Sequence, residues 1–398
     1  MKKRTIAGIT AAMLLSAAVL LVGCGSAAGT LRETAASQSV STSSVAALTA
    51  VTRSDTESEL FTSRDLSQEA DTGEAAAIVI LDGQTVTITE AGVYVLTGSA
   101  KNATVVVEAG QEDKVQLVLD GLSIVNTDQP CILVERADKV FLTSTEGSEN
   151  SLTVSGRFSS DYDAALFSRD DLVLNGLGTV TVSSTNDSIR SNDDLKLTGG
   201  TWNVSATGSA MKAHDSILAS DGTYTLTAGS DGLHAEDNDD DSVGSIVIEG
   251  GSFTIQAGDD GIHGTTNFTV NGGTLSITAA EGIEATQVIL NDGSVSIKAQ
   301  DDGINAGRKS SSLSVRIEIN GGDITIVMGS GDTDGVDSNG DLVITGGTID
   351  ISGQSPFDYD GSCTYIGGTI IVNGVETNSV SNQMMGGGMK GGPSRSRW

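Results

Sequence analysis

Phe268-Thr-Val-Asn-Gly-Gly273-Thr-Leu-Ser-Ile277 sets an apolar alternation, a small-residue turn and a second alternation side by side. The phrase returns as Leu195-Lys-Leu-Thr-Gly-Gly200-Thr-Trp-Asn-Val204, Ile246-Val-Ile-Glu-Gly-Gly251-Ser-Phe-Thr-Ile255, Ile317-Glu-Ile-Asn-Gly-Gly322-Asp-Ile-Thr-Ile326 and Leu342-Val-Ile-Thr-Gly-Gly347-Thr-Ile-Asp-Ile351. Looser versions run through Gly178, Gly222, Gly293 and Gly368, and the nine aligned glycines are spaced by 22, 22, 29, 22, 20, 29, 25 and 21 residues. A period-two alternation reads as strand, and its recurrence at a nearly fixed interval reads as a stacked β-solenoid of about 22 residues per coil. The expected fold is therefore all-β.

The composition agrees. Fifty glycines and three prolines in 398 residues suit many short strands joined by tight turns. Beyond the leader no stretch carries an amphipathic helical period. About thirteen coils, each adding roughly 4.8 Å, predict one quasi-linear domain of about 60 Å whose coils touch only their neighbours. The expected boundaries are a leader over 1–23, a flexible tether over 24–75, the solenoid over 76–376 and a disordered Gly/Met-rich tail over 377–398.

Met1-Lys-Lys-Arg4 begins a positively charged start, followed by an apolar stretch that ends in Leu21-Val22-Gly23-Cys24. That tetrapeptide resembles a bacterial lipobox, so Cys24 is the expected lipidation site and the chain is expected to be anchored on the outer face of a bacterial membrane. Cys131 and Cys363 fall about ten coils apart, too far for a bridge, and both are expected to fill the coil interior. Loss of Lys2, Lys3 and Arg4 with the leader takes the formal charge from −30 to −33. Such an excess argues against nucleic acid and against docking on anionic lipid. It favours cations, or polymers bridged by cations. The chain is expected to act as a monomer.

The acid falls in register. Asp187-Ser-Ile-Arg190, Asp231-Gly-Leu-His234, Asp260-Gly-Ile-His263, Glu281-Gly-Ile-Glu284, Asp302-Gly-Ile-Asn305 and Asp334-Gly-Val-Asp337 occupy one slot of successive coils, with Ser209-Ala-Met-Lys212 filling it without an acid. Stacking aligns the carboxylates of 231, 260, 281, 302 and 334 into a ladder. Neighbours about 5 Å apart repel by roughly 1 kcal/mol in water and by more at a protein surface. Asp-Gly is also a favoured turn pair, with glycine supplying positive φ, but a turn does not require acid in five slots. Second acids at Asp259, Asp301, Asp332 and Asp337 add to the repulsion. Calcium, which takes six to eight oxygen ligands, would relieve it. Two places are richest: the loop after the ladder's Asp231, with Asp237, Asp239 and Asp241, and the run Asp332-Thr-Asp334-Gly-Val-Asp337. The second departs from the spacing of an EF-hand loop.

Other chemistry is sparse. His234 and His263 occupy equivalent slots and could meet as a metal pair, but Asn305 and Glu284 share that slot, which favours surface turn positions. No zinc-type Cys/His spacing, nucleophile elbow or phosphate loop is present. Trp202, Tyr224 and Phe253 share one register and are expected to stack inside the coil rather than form a sugar platform.

The lipobox, the Ser/Thr tether, the opening Ile80-Leu-Asp-Gly-Gln-Thr-Val-Thr-Ile-Thr-Glu-Ala-Gly-Val-Tyr-Val-Leu-Thr-Gly98 and the recurring Asp-Gly-Ile-[His/Asn] together resemble the clostridial cell-surface carbohydrate-binding domain family. The resemblance covers roughly residues 75–375. It implies a right-handed, single-stranded parallel β-helix, calcium sites along it and binding of plant-wall polysaccharides such as pectin or cellulose, with Asp231, Asp260, Asp302 and Asp334 as ligand candidates. The alternatives are a pectate-lyase-like enzyme, for which Arg190 and Lys212 offer a base, and an adhesin or structural surface protein.

Overall fold

The computed structural model describes residues 60–159, 162–330 and 333–382, all within the compact unit Thr56–Trp398. Cys24, the leader, most of the tether, Asp332 and the tail from residue 383 lie outside the described residues. Every regular element among those described is a strand, and none is a helix long and apolar enough to cross a membrane.

Among the described residues the strands form two sheets, one of 24 and one of 12 strands. Each repeat contributes two strands to the first and one to the second. Asn267–Val270, Thr274–Ala279 and Glu281–Ala285 make one such set. Each pairs in parallel with its counterpart one repeat on: Phe268 with Val288, Leu275 with Val295 and Ile283 with Ile304. The 29-residue steps do not break this register, because the extra residues loop out between strands; Tyr224 still pairs with Phe253, and Val295 with Ile324.

Alternation explains the strands. Along Thr274–Ala279, exposed Thr, Ser and Thr alternate with buried Leu275, Ile277 and Ala279. The inward residues stack into ladders that merge into one core running from Ile80 to Ile370. Trp202, Tyr224 and Phe253 lie in it as expected, at 0%, 0% and 1% exposure. The Tyr224 and Phe253 rings stack at 4.6 Å with 14° between planes. Cys131 is buried; Cys363, expected inside as well, is half-buried at the edge of the core.

Positive φ belongs to the second glycine of each Gly-Gly turn, among them Gly200 (82°), Gly273 (85°) and Gly322 (84°). The acid-Gly pairs of this slot do not take the positive φ of a turn: Gly261, Gly282 and Gly335 sit within strands, and Gly232 and Gly303 directly precede strands. They are glycine for lack of room: a Cβ on Gly282 would lie 2.3 Å from the Gly303 carbonyl oxygen and 2.5 Å from Ile297 Cγ2.

Residues 60–75, expected to be part of a flexible tether, are ordered against the outer face of the larger sheet. Phe61 and Asp65 are buried. Asn175 Nδ2 donates to the Ser67 carbonyl at 2.9 Å, Gln68 Nε2 to the Thr198 carbonyl at 2.8 Å, and Arg64 lies 4.4 Å over the Phe141 ring. Absence of periodicity marks absence of strand, and this stretch docks through individual side chains instead. The final strand also departs from the pattern: Val375–Thr377 turns back and pairs antiparallel with Thr369–Val372.

Candidate functional site

The smaller sheet carries the acidic slot. In-register pairs join Asp260 to Glu281 and Asp334 to Ser355, so the first column runs as the spacing predicts. Three residues further along each strand lies a second column, Arg190–Lys212–His234–His263–Glu284–Asn305–Asp337–Asp358, paired step by step. Its sign changes along the stack, from cationic through imidazole to acidic.

Much of the first column is occupied by backbone. Asp187 Oδ1 accepts the Ser209 amide at 2.8 Å, Asp231 Oδ1 the Asp260 amide at 3.1 Å, and Asp302 Oδ1 the Asp334 amide at 2.9 Å. Each carboxylate thus satisfies a donor one coil on, where an unpaired amide would be costly. This role requires an acceptor in the slot but no metal.

At mid-stack the imidazoles dominate. The His234 and His263 rings stack at 4.7 Å with 7° between planes. His234 Nδ1 lies 2.6 Å from Asp231 Oδ2, and His263 Nδ1 lies 2.7 Å from Asp260 Oδ2 and 3.1 Å from Glu284 Oε2. Lys309, from the second long insertion, reaches Glu284 Oε2 at 2.6 Å. Burial alone would lower the His263 pKa, but the hydrogen bonds to Asp260 and Glu284 outweigh it and push it up to about 10. Burial likewise raises Asp231, yet the His234 hydrogen bond prevails and holds that carboxyl below its ordinary range. The His234 hydrogen bond brings Glu236 down to about 2. Glu281, which bonds only Asn305 among these side chains, is pushed up to about 7 by burial and by its acidic neighbours.

Toward the C-terminal end the column is purely oxygen. Burial, then the charges of Asp302, Asp334, Asp358 and Asp360, push Asp337 up to about 7. Beside it, the buried oxygens Thr333 Oγ1, Ser355 Oγ and Asp358 Oδ1 have no hydrogen-bond partner among the described residues. Orphaned buried oxygens around crowded carboxylates fit a hard cation, which takes oxygen ligands alone.

The other predicted ligands are scattered. Asp259 and Asp301 are exposed. Asp237 Oδ1 accepts the Asp239 amide at 2.9 Å, and Asp241 Oδ2 accepts the Ser311 amide at 2.8 Å, so these acids cap loops. Asp239 is exposed, and Asp237, Asp239 and Asp241 do not converge with the ladder. Among the described residues, the groupings of three acid or imidazole ligand atoms within 4.8 Å are His234–Glu236–His263 and Asp260–His263–Glu284. Sequence reasoning recognised that the two histidines share a slot and could meet as a metal pair, but favoured surface turn positions for them and missed Glu236. Arg190, the candidate base, is engaged by Asp163 at 2.5 Å, Asn192 at 3.1 Å and His214 at 2.9 Å.

Comparison with known proteins adds three findings. A family model described as carbohydrate-binding domain-containing protein matches residues 82–361 and 280–392. A carbohydrate-binding domain-containing protein of Acetivibrio thermocellus is 36% identical over 122 residues, which is 29% of this chain and 43% of that protein. The chain thus spans less than half the length of that relative. A solved structure described as the polysaccharide lyase-like protein from C. thermocellum, gadolinium derivative, is 23% identical, with a TM-score of 0.44 over 74% of this chain and 96% of that one.

Proposed function

The chain belongs to the family of carbohydrate-binding domain-containing proteins, and from that premise we propose that it is a calcium-dependent, cell-surface lipoprotein that holds plant-wall polysaccharide, polygalacturonate first among them. The observation that carries the calcium reading is the oxygen-only end of the ladder, where Asp337 is pushed to about 7 beside buried oxygens that lack partners. Asp337 and its register partner Asp358 would contribute oxygens to the ion, and calcium would supply a divalent charge that a uronate carboxylate can share with the protein. The chain's own part is to keep Asp337 and Asp358 in register on adjacent strands, one strand spacing apart. Outward Thr, Ser and Asn along the strands offer hydroxyl and amide partners to neutral glucans.

Two further elements belong to this reading. The parallel coil-to-coil pairing is taken as a right-handed, single-stranded β-helix of about 22 residues per coil, the hand that crossover connections overwhelmingly adopt. Cys24 is taken as the lipid attachment that keeps the chain at the outer face of the membrane, as a monomer.

Retention on immobilised polygalacturonate, with and without a calcium chelator, tests the proposal. Calcium-dependent retention that Asp337→Asn reduces is the expected result. Retention indifferent to chelator, or growth of an unsaturated product in the soluble fraction, would replace calcium-bridged binding with another mode or with lyase chemistry.

A further inference from the structure

We infer that His234, His263 and Glu236 form a binding site for a transition-metal ion of the zinc class, distinct from the oxygen-only positions. The two rings come from consecutive strands, Leu233–Ala235 and Asp260–Gly264, and are register partners. The long step that follows the first strand begins with Glu236, whose Oε2 lies 3.2 Å from His234 Nε2. One ring nitrogen from each histidine and a Glu236 oxygen lie within 4.8 Å of one another.

An independent observation concerns the opposite edge of each ring. Both Nδ1 atoms rest on a carboxylate, Asp231 at 2.6 Å and Asp260 at 2.7 Å. A carboxylate on Nδ1 holds the proton there, so that Nε2 is the nitrogen that can give up its proton to an incoming ion, the arrangement that metal-ligating histidines adopt. It occurs twice, one coil apart, with the rings parallel. The side chains keep 11% and 12% exposure, so an ion can enter from solvent. Glu284 is already held by Lys309 at 2.6 Å and serves to orient His263.

The donor set chooses the metal. Two imidazole nitrogens and one carboxylate suit zinc, cobalt or nickel and are wrong for calcium, whose ligands are oxygen. Zinc–nitrogen bonds are about 2.0–2.1 Å, so the two rings tilt toward each other on binding. The three ligands leave a fourth position for water or a sugar hydroxyl.

The test uses the full chain stripped of metal, then saturated with calcium so that oxygen sites do not compete. Calorimetric titration with Zn²⁺ should show one saturable site, and Co²⁺ should give visible absorption bands of a nitrogen-ligated ion. Asp231→Asn should weaken uptake by about 10- to 100-fold, the range seen for partners of ligating histidines. His263→Gln and Glu236→Gln should each weaken it at least as much. Glu236 is a third exposed and outside the ring stack, so its variant keeps the test valid should the histidine variant fail to fold. Absence of saturable zinc uptake by the parent chain, or uptake unchanged in Glu236→Gln and His263→Gln, would overturn the inference, whatever the chelator experiment on polygalacturonate gives.

Discussion

Asp65 is fully buried, with Lys139 Nζ at 3.4 Å and Lys196 Nζ at 3.2 Å, and Thr62 donates its amide to the same carboxylate at 3.0 Å. Burial alone would raise its pKa, but the Thr62 amide and the two ammonium groups outweigh it and hold it below 3.8. Its stabilisation is therefore present above the ordinary carboxylate range and is lost as pH falls through the lowered value. Asp65→Asn leaves two nearly buried ammonium groups uncompensated and should cost about 3–5 kcal/mol, read by denaturant unfolding at neutral pH. Asp193 behaves in the opposite sense: burial, then Asp215 and Asp171, push it up to about 7. The unfolded chain gives up that proton near 3.8, so this group's penalty grows as pH rises from there and is complete above about 7. Asp193→Asn should raise the melting temperature at about pH 8, with the gain vanishing as the pH is lowered toward about 4. Neither behaviour is legible in the sequence, because the two ammonium groups that face Asp65 come from residues more than seventy positions away and the acids that face Asp193 from neighbouring coils.

At the scale of the element, the Gly-Gly turn and the alternation around it were legible. Four apolar positions, a pair two apart on each side of the glycines, specify two strands and the corner between them, and the shared register of Trp202, Tyr224 and Phe253 placed all three in the core, with Tyr224 stacked on Phe253. The Asp-Gly pairs were misread because the same dipeptide serves a turn through φ and a crowded strand through the missing Cβ. Distinguishing the two needs the neighbouring coil. Gly282→Ala, with Gly303 oxygen and Ile297 Cγ2 in the way, should destabilise by about 1–3 kcal/mol, as overpacking does, when measured by thermal unfolding. Substitution at Gly147, where an added Cβ meets nothing within 4 Å, serves as a control for φ strain alone, since that residue sits at 72°. The slot shared by His234 and His263 was visible in the spacing. Their stacking and the carboxylate on each Nδ1 were not, since these depend on how the side chains of adjacent coils turn.

Across the whole molecule, coils bind only their neighbours, so a change in one repeat should loosen a few adjacent strands before it affects distant ones. The second column gives this stack a polarity in charge, with Arg190 and Lys212 toward one end and Asp337 and Asp358 toward the other. A uronate chain lying along it would meet ammonium directly at one end and need a bridging cation at the other. Lys212→Glu should accordingly reduce retention on polygalacturonate, with the difference shrinking as salt is raised above roughly 0.1 M, where exposed charges are screened beyond about 10 Å. The strand Val375–Thr377 bears on a separate hazard. A parallel stack ends in a row of unspent amides and carbonyls that would template another copy, fibre-fashion. By running the opposite way across Thr369–Val372, that short strand presents a mismatched terminus, and Pro356 withdraws a donor from the last strand of the other sheet. Both features break the regular edge that a second copy would have to extend, one in each sheet.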